Sequence, residues 1–316
     1  MKKIVVFGGG TGISCLLSGL KLFPIDVTSI VAVSDDGGST GKLKKEFDIP
    51  AVGDVGKVLI SMANIDSDFK DLLSYRFTKE SSLENHPVRN VMLTALIDLK
   101  GSLTDATKYM CKLLNIKGTV LPLMEENAEL VGEGLQGKQY LGEESVSQNI
   151  KNIRKLHYDR DVNISKEIIN KINEADLILL SSGSLYTSIL PHLIVEEIQD
   201  AIAKSSAPIM YVANLVTQPG ETDNYSISDH LKTLNKHLKN RHVDIVIANN
   251  AEIDPAIVEK YSLLEQKSLV PVDRDKIAAE GARLIEDKIV AVENGSIRHN
   301  AMKTAYLIFS YLMEGE

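Results

Sequence analysis

Four segments of this chain gather glycine, hydroxyl and carboxylate groups too densely for a packed core. In Gly8-Gly9-Gly10-Thr11-Gly12 the missing side chains let the backbone turn tightly, so that its N–H groups can approach an anion at the start of the following helix. Position 13 is Ile13 rather than the last glycine of a G-x-G-x-x-G fingerprint, and no Gly-Lys-Ser/Thr of a P-loop follows. The segment is either a phosphate cradle of another kind or a structural turn between strand and helix. In Ser34-Asp35-Asp36-Gly37-Gly38-Ser39-Thr40-Gly41, Asp35 and Asp36 offer two adjacent carboxylates at a strand end, beside Gly37 and Ser39. Such a pair can grip Mg²⁺, a ribose or a base; Asp in a turn also caps helices.

The third segment, Ser181-Ser182-Gly183-Ser184-Leu185-Tyr186-Thr187-Ser188, concentrates hydroxyls and free N–H groups around Gly183, Ser184 and Thr187. An anion-binding turn and a serine-rich helix cap account for it equally well, and no G-x-S-x-G elbow argues for a serine nucleophile. The fourth, from Asn214 through Thr217 and Gln218 to Asp223, again leaves a strand and again is dense in polar groups. His86 and Asn90 are one helical turn apart and can face one ligand, or cap and cover a surface. The seven histidines form no H-E-x-x-H or other metal spacing.

These segments must be held by strands and helices that the apolar pattern reveals. β-branched and aromatic runs at 4–7 and 27–33 lead into the first two glycine turns, with a helix over 14–22 between them, as in a βαβ unit. Helical spacing follows over 54–64, 68–77, 88–99 and 103–115. Short strands are expected at 118–123, 129–133 and 139–142, the last two joined as a hairpin through Gly134 and Gly137. The α/β rhythm then returns, with strands at 176–180, 209–214, 244–248 and 268–272; their continuous apolar runs suit a parallel sheet covered on both faces. The acidic, lysine-bearing stretch 143–161 is the weakest place to put a boundary. The expected fold is α/β, a doubly wound and mostly parallel sheet within one unit spanning 1–316, with a helical and small β-hairpin insertion at about 54–160.

Composition narrows the function classes. The 316 residues carry 44% hydrophobic and 25% charged residues and a formal charge of −8, those of an ordinary globular protein. Nucleic acid is not an expected partner, since a basic patch would have to work against a repulsive overall field. Cys15 and Cys111 make neither a metal spacing nor a disulfide framework and fit a reducing compartment. No apolar run approaches a membrane span or a secretory signal, so the expected location is the cytoplasm.

The four motifs, taken in order, resemble the gluconeogenesis factor (YvcK-like) family, relatives of 2-phospho-L-lactate transferase; the resemblance runs from Lys3 to about Ala305. It implies a Rossmann-like core, a homodimer, and binding of UDP-sugars, notably UDP-N-acetylglucosamine. It also implies a role in carbon metabolism, cell shape and growth on gluconeogenic carbon sources, with partners in envelope synthesis. By the same resemblance Gly10, Thr11 and Gly12 contact phosphate, Asp35 and Asp36 line the site, and Ser184 and Thr187 help hold the ligand. Tyr261 and Arg298 are then candidates for the uridine and diphosphate parts. Arg298 has independent support, because a guanidinium presents a planar set of donors suited to a diphosphate; the preceding segment 289–297 is expected to return the chain to the sheet. The sequence departs from the family where Ser181-Ser182 replaces Gly-Pro and where Arg89 replaces Gly. The leading expectation is a nucleotide-sugar sensor without catalytic turnover. The alternative is a phospho-group transferase in which Asp35 and Asp36 hold Mg²⁺.

Overall fold

In the computed structural model, which describes residues 1–293 and 295–314 without the side chain of Asn152, the chain opens as strand, helix, strand. These are β1 (Lys3–Gly8), α1 (Gly10–Leu20) and β2 (Asp26–Val31), followed by α2 (Gly38–Phe47), α3 (Gly53–Met62), α4 (Ser67–Ser74), α5 (Val88–Lys100), α6 (Leu103–Leu113) and β3 (Thr119–Pro122). The first two glycine turns double as helix starts. Gly9 and Gly37 sit in extended backbone ahead of α1 and α2, so α1 begins earlier than apolar spacing suggests and α2 forms where only a turn was expected.

A small antiparallel sheet comes next, with β4 (Leu130–Gly134), β5 (Gln139–Leu141), α7 (Glu143–Asn149) and β6 (Ile153–Tyr158). The hairpin expected through Gly134 and Gly137 is present, but β6 joins it to make the order β5-β4-β6. Lysine, arginine and histidine on β6 hide its apolar alternation, because only Leu156 and Tyr158 are buried. The second half of the chain adds α8 (Lys166–Asn173), β7 (Leu177–Leu180), α9 (Leu190–Leu193), α10 (Glu196–Lys204), β8 (Ile209–Val212), α11 (Ile227–Asn235) and β9 (Ile245–Asn249). It ends with α12 (Pro255–Glu265), α13 (Arg274–Ala279), β10 (Arg283–Asp287), β11 (Val290–Glu293), β12 (Ser296–His299) and α14 (Ala301–Glu314).

The seven-stranded sheet runs β10-β9-β8-β7-β1-β2-β3, and every pairing in it is parallel. The chain winds outward from β1 through β2 to β3, then returns to lay β7 on the other side of β1 and continues away. That reversal is the switch point at which open α/β sheets bind ligands. Leu177, Ile178, Leu179 and Leu180 are all 0% exposed, as a strand covered on both faces requires. Burying each such side chain is worth about 1.5–3 kcal/mol.

Two expectations for the last third are corrected. Residues 268–272 form no strand, only a bridge between Leu269 and Val216, and the last strand of the sheet is β10. Its exposed Arg283 and half-buried Glu286 and Asp287 do not read as a buried strand. Segment 289–297 does not rejoin the sheet either: β11 and β12 pair with each other as a separate antiparallel ribbon.

Candidate functional site

Because β8, β7, β1 and β2 are consecutive in the sheet, the four polar segments that leave them converge. They line a cleft of about 500 Å³ at the carboxyl ends of the strands, formed by Gly9, Gly10, Thr11, Gly12, Asp35, Ser182, Gly183, Ser184, Ser188, Asn214, Thr217 and Gln218, among others. Arg298 reaches the same cleft from β12, next to Ile297 and His299. The floor is α1, whose first-turn N–H groups and dipole favour negative charge. A Cβ on Gly12 would fall 2.7 Å from the carbonyl carbon of Ser182. Glycine is therefore needed where the two halves of the cradle touch.

The far wall is tied down by reciprocal bonds. Gly183 N–H donates to Asn214 Oδ1 at 3.1 Å, and Asn214 Nδ2 donates to the Gly183 carbonyl at 2.7 Å. Ser184 Oγ accepts from Thr187 N–H at 3.0 Å and from the Thr187 hydroxyl at 2.6 Å, while donating to Glu221 Oε2 at 2.6 Å. Thr187 thus positions Ser184 and does not itself line the cleft. Glu221, 2% exposed, also accepts from Ser147 Oγ at 2.6 Å and from Gln218 Nε2 at 3.0 Å. One buried carboxylate therefore joins three segments, and burial pushes its carboxyl upward. Thr217 binds Ser268 through its backbone N–H at 2.7 Å and through its hydroxyl.

His299 closes the cleft from below. Its Nε2 lies 3.0 Å from the Ala213 carbonyl and its Nδ1 3.4 Å from Ser182 Oγ. A carbonyl can only accept, so Nε2 carries the proton and Nδ1 receives the hydroxyl. Burial pushes this imidazole down to about 4, keeping it neutral.

The cleft also holds groups that the sequence reading did not single out. Asp54 on α3 faces Gly9 and Gly10: a Cβ on Gly9 would meet its Oδ2 at 2.7 Å. Lys57, one helical turn on, donates to Asp54 Oδ1 at 2.9 Å. Burial pushes Asp54 upward against the pull of Lys57. For Lys57, attraction to Asp54 outweighs its own burial and raises its value. Asp and Lys at i and i+3 in the first turns of α3 were the available signal. Lys267 completes the set.

Asp35, Asp36 and Glu143 can each bring a carboxylate oxygen within 4.8 Å of the others. Asp36 Oδ2 accepts the Glu143 N–H at 3.0 Å, which docks α7 against the second glycine turn. Glu143 is pushed up to about 8, by burial first and then by the charge of Asp35. A carboxyl raised in the native state binds a proton that the unfolded chain releases near pH 4.3. Stability should therefore fall as pH rises from about 4.5 towards 8. Glu143→Gln, neutral at every pH, should match the parent at pH 5 and exceed it at pH 8.5 in urea unfolding. A difference that does not change with pH would show that Glu143 titrates normally.

The remaining sequence candidates lie outside the cleft lining. Ser39 Oγ is 2.8 Å from His86 Nδ1 and accepts from Asn90 Nδ2 at 3.4 Å; His86 and Asn90 are each 3% exposed. Gly37 N–H donates to Asp35 Oδ1 at 3.0 Å, holding that carboxylate. Tyr261 is 6% exposed and its hydroxyl accepts the Ile297 N–H at 2.7 Å. It thereby braces the ribbon that carries Arg298 and is not part of the cleft lining.

Comparison with known proteins identifies relatives of this arrangement. The family model described as "2-phospho-L-lactate transferase CofD" matches residues 4–290. The chain is 39% identical over 315 residues to the gluconeogenesis factor of Bacillus subtilis, spanning 99% of this chain and 98% of that protein. It is equally 39% identical over 308 residues to the gluconeogenesis factor of Halalkalibacterium halodurans, spanning 97% and 95%. The crystal structure of a UPF0052 family member from Bacillus halodurans superposes with a TM-score of 0.92 at 38% identity, covering 98% of this chain and 99% of that one.

Proposed function

Starting from the chain's membership of the CofD family, among its gluconeogenesis factors, we propose that it is a regulatory protein that binds a nucleotide sugar, UDP-N-acetylglucosamine. The observation that carries this reading is the cleft at the switch point, where the first turn of α1 faces the Gly183 loop and Arg298 overhangs both. Backbone N–H groups and a guanidinium suit a diphosphate, and the hydroxyls and amides of Ser184, Asn214 and Gln218 suit a sugar. No helix among the described residues is long and apolar enough to cross a membrane.

The same reading takes residues 1–316 as one unit with 54–160 as its insertion, since one apolar cluster joins Ile4 to Leu312. It places the protein in the cytoplasm as a homodimer, serving cell shape and growth on gluconeogenic carbon through envelope-synthesis partners. Calorimetric titration with UDP-N-acetylglucosamine, GDP and NAD tests it. Saturable binding of the first alone is expected, with a higher melting temperature by mass action. Absence of both signals would remove the nucleotide-sugar reading.

Arg298→Ala should weaken that binding roughly ten- to a hundredfold, the loss of one or two charge-assisted hydrogen bonds. Arg298→Lys should restore part of it, because lysine keeps the charge and loses the fork. Equal dissociation constants for Arg298→Ala and the parent at matched salt would take Arg298 out of the site.

A second reading, a Mg²⁺-dependent phospho-group transferase, is favoured by the meeting of Asp35, Asp36 and Glu143. Three hard oxygen donors suit Mg²⁺, and a cation there would offset the mutual repulsion that adds to burial in raising Glu143. A bound ion would supply Lewis-acid stabilisation of a leaving phosphate. Incubation with Mg²⁺ and candidate donors and acceptors separates the two readings, because product formation excludes a sensor without turnover.

A further inference from the structure

Beside the cleft, where α3 meets the start of α5, stands a group of cations that neither reading uses. The stem of Arg89 crosses Gly56 so closely that a Cβ there would meet Arg89 Cδ at 3.2 Å and Nε at 3.3 Å. Asn90 Oδ1 lies 3.2 Å from the same point. Both Arg89 Nε and Asn90 Oδ1 are fully buried without a hydrogen-bond partner. Among the described residues Arg89 enters no ion pair. Burial first and then the nearby charge of Arg76 lower the Arg89 guanidinium, and Lys57, also close by, is held by Asp54.

A half-buried guanidinium among other cations is costly unless an anion joins it. The carboxylate at hand, Asp54, is committed to Lys57 at 2.9 Å, which leaves Arg89 itself without one among the described residues. Turning the Asn90 amide, whose oxygen and nitrogen are assigned only from their neighbours, would point its NH₂ the same way as Arg89 Nε. Its oxygen would then receive the Ser39 hydroxyl. Arg89 Nε and the Asn90 amide would then both be donors without an acceptor.

We propose that Arg89, Asn90 and Lys57 form a second, oxyanion-binding subsite next to the nucleotide cleft, which takes the phosphoryl or carboxylate group of a small acidic molecule. Lys57 belongs to both pockets, since it lines the cleft and adjoins Arg89. The acidic molecule therefore sits close to the phosphates of a nucleotide bound in the cleft. This placement rests on the nucleotide reading; the subsite itself does not.

The test titrates the parent, Arg89→Gly and Arg89→Lys with inorganic phosphate and separately with malonate, each with and without saturating UDP. Circular dichroism melts confirm the fold of each variant. The parent should bind one of the two probes in the presence of UDP, phosphate for a phosphoryl subsite or malonate for a carboxylate subsite. Arg89→Gly should weaken that binding about tenfold or more, the loss of a charge-assisted contact, and Arg89→Lys less. Affinity for UDP should stay within about twofold of the parent in both variants, since Arg89 lies outside the cleft lining. If UDP itself fails to bind, the nucleotide reading falls, and the titrations without UDP still decide the subsite. Equal probe affinity in the parent and Arg89→Gly, or no binding of either probe to the parent, overturns the proposal.

Discussion

Gly12→Ala is expected to lower stability and abolish measurable nucleotide-sugar binding together. The added methyl would lie 2.7 Å from the Ser182 carbonyl carbon and 3.2 Å from the Gly183 nitrogen. Both are backbone atoms, so no rotamer change relieves the clash, and α1 must move away from the loop that follows β7. Overpacking of this kind costs about 1–3 kcal/mol and sometimes more. The affinity loss should exceed about a hundredfold, because the displaced elements are the two faces of the proposed phosphate cradle and small misplacements are that damaging. Gly10→Ala is the useful contrast. Its nearest neighbour is Asp54 at 3.7 Å, and its burden is a positive φ of 64°, which costs roughly 1 kcal/mol. Urea unfolding with calorimetric titration of both variants checks the expectation. A Gly12→Ala protein as stable as Gly10→Ala, with parental affinity, would mean that the interface has slack.

Glu221→Ala should be the most destabilising single change among the polar residues around the cleft, by about 2–4 kcal/mol. It deletes an acceptor used by Ser147, Ser184 and Gln218 at 2.6–3.0 Å. Hydrogen bonds to charged groups are worth about 1.5–3 kcal/mol each, and the relief of unburying a carboxylate offsets part of that sum. Binding should also weaken at least tenfold, since Ser184 loses the partner that orients it. Glu221→Gln keeps the shape and one acceptor oxygen, and the serine hydroxyls can turn to accept from its NH₂. It should retain more than half of the lost stability. Should Ala and Gln prove equally mild, within about 0.5 kcal/mol of the parent, Glu221 would be a passenger and not the tie between these segments.

How the fold was legible depends on the residue. The runs at 177–180 and 245–248 read directly as strands because they are apolar on both faces and end at polar segments. β10 was not legible, because an edge strand needs only one covered face and its arginine and acidic residues mask the period. β6 was missed for the same reason, lying in a small sheet with one buried side. The π-type turn at Leu185–Ile189, which lets Ser184 accept from Thr187 and still donate to Glu221, has no sequence signature, since its i+5 spacing is a response to packing.

What the sequence determined by itself is local: glycine where the backbone must turn or approach closely, hydroxyls and carboxylates gathered at strand exits, and apolar periods that specify a parallel α/β sheet. Those depend on residue conformation and near-neighbour spacing, which the chain carries along its length. Only the tertiary structure decided that β7 pairs with β1, and so that Gly12 meets Ser182, positions 170 apart in the chain. It likewise decided that Asp54, Lys57 and Glu143 enter the cleft lining while Glu221, Thr187 and Tyr261 stand behind it. Contacts between distant segments arise from strand order and helix packing, so no short window of the chain encodes them.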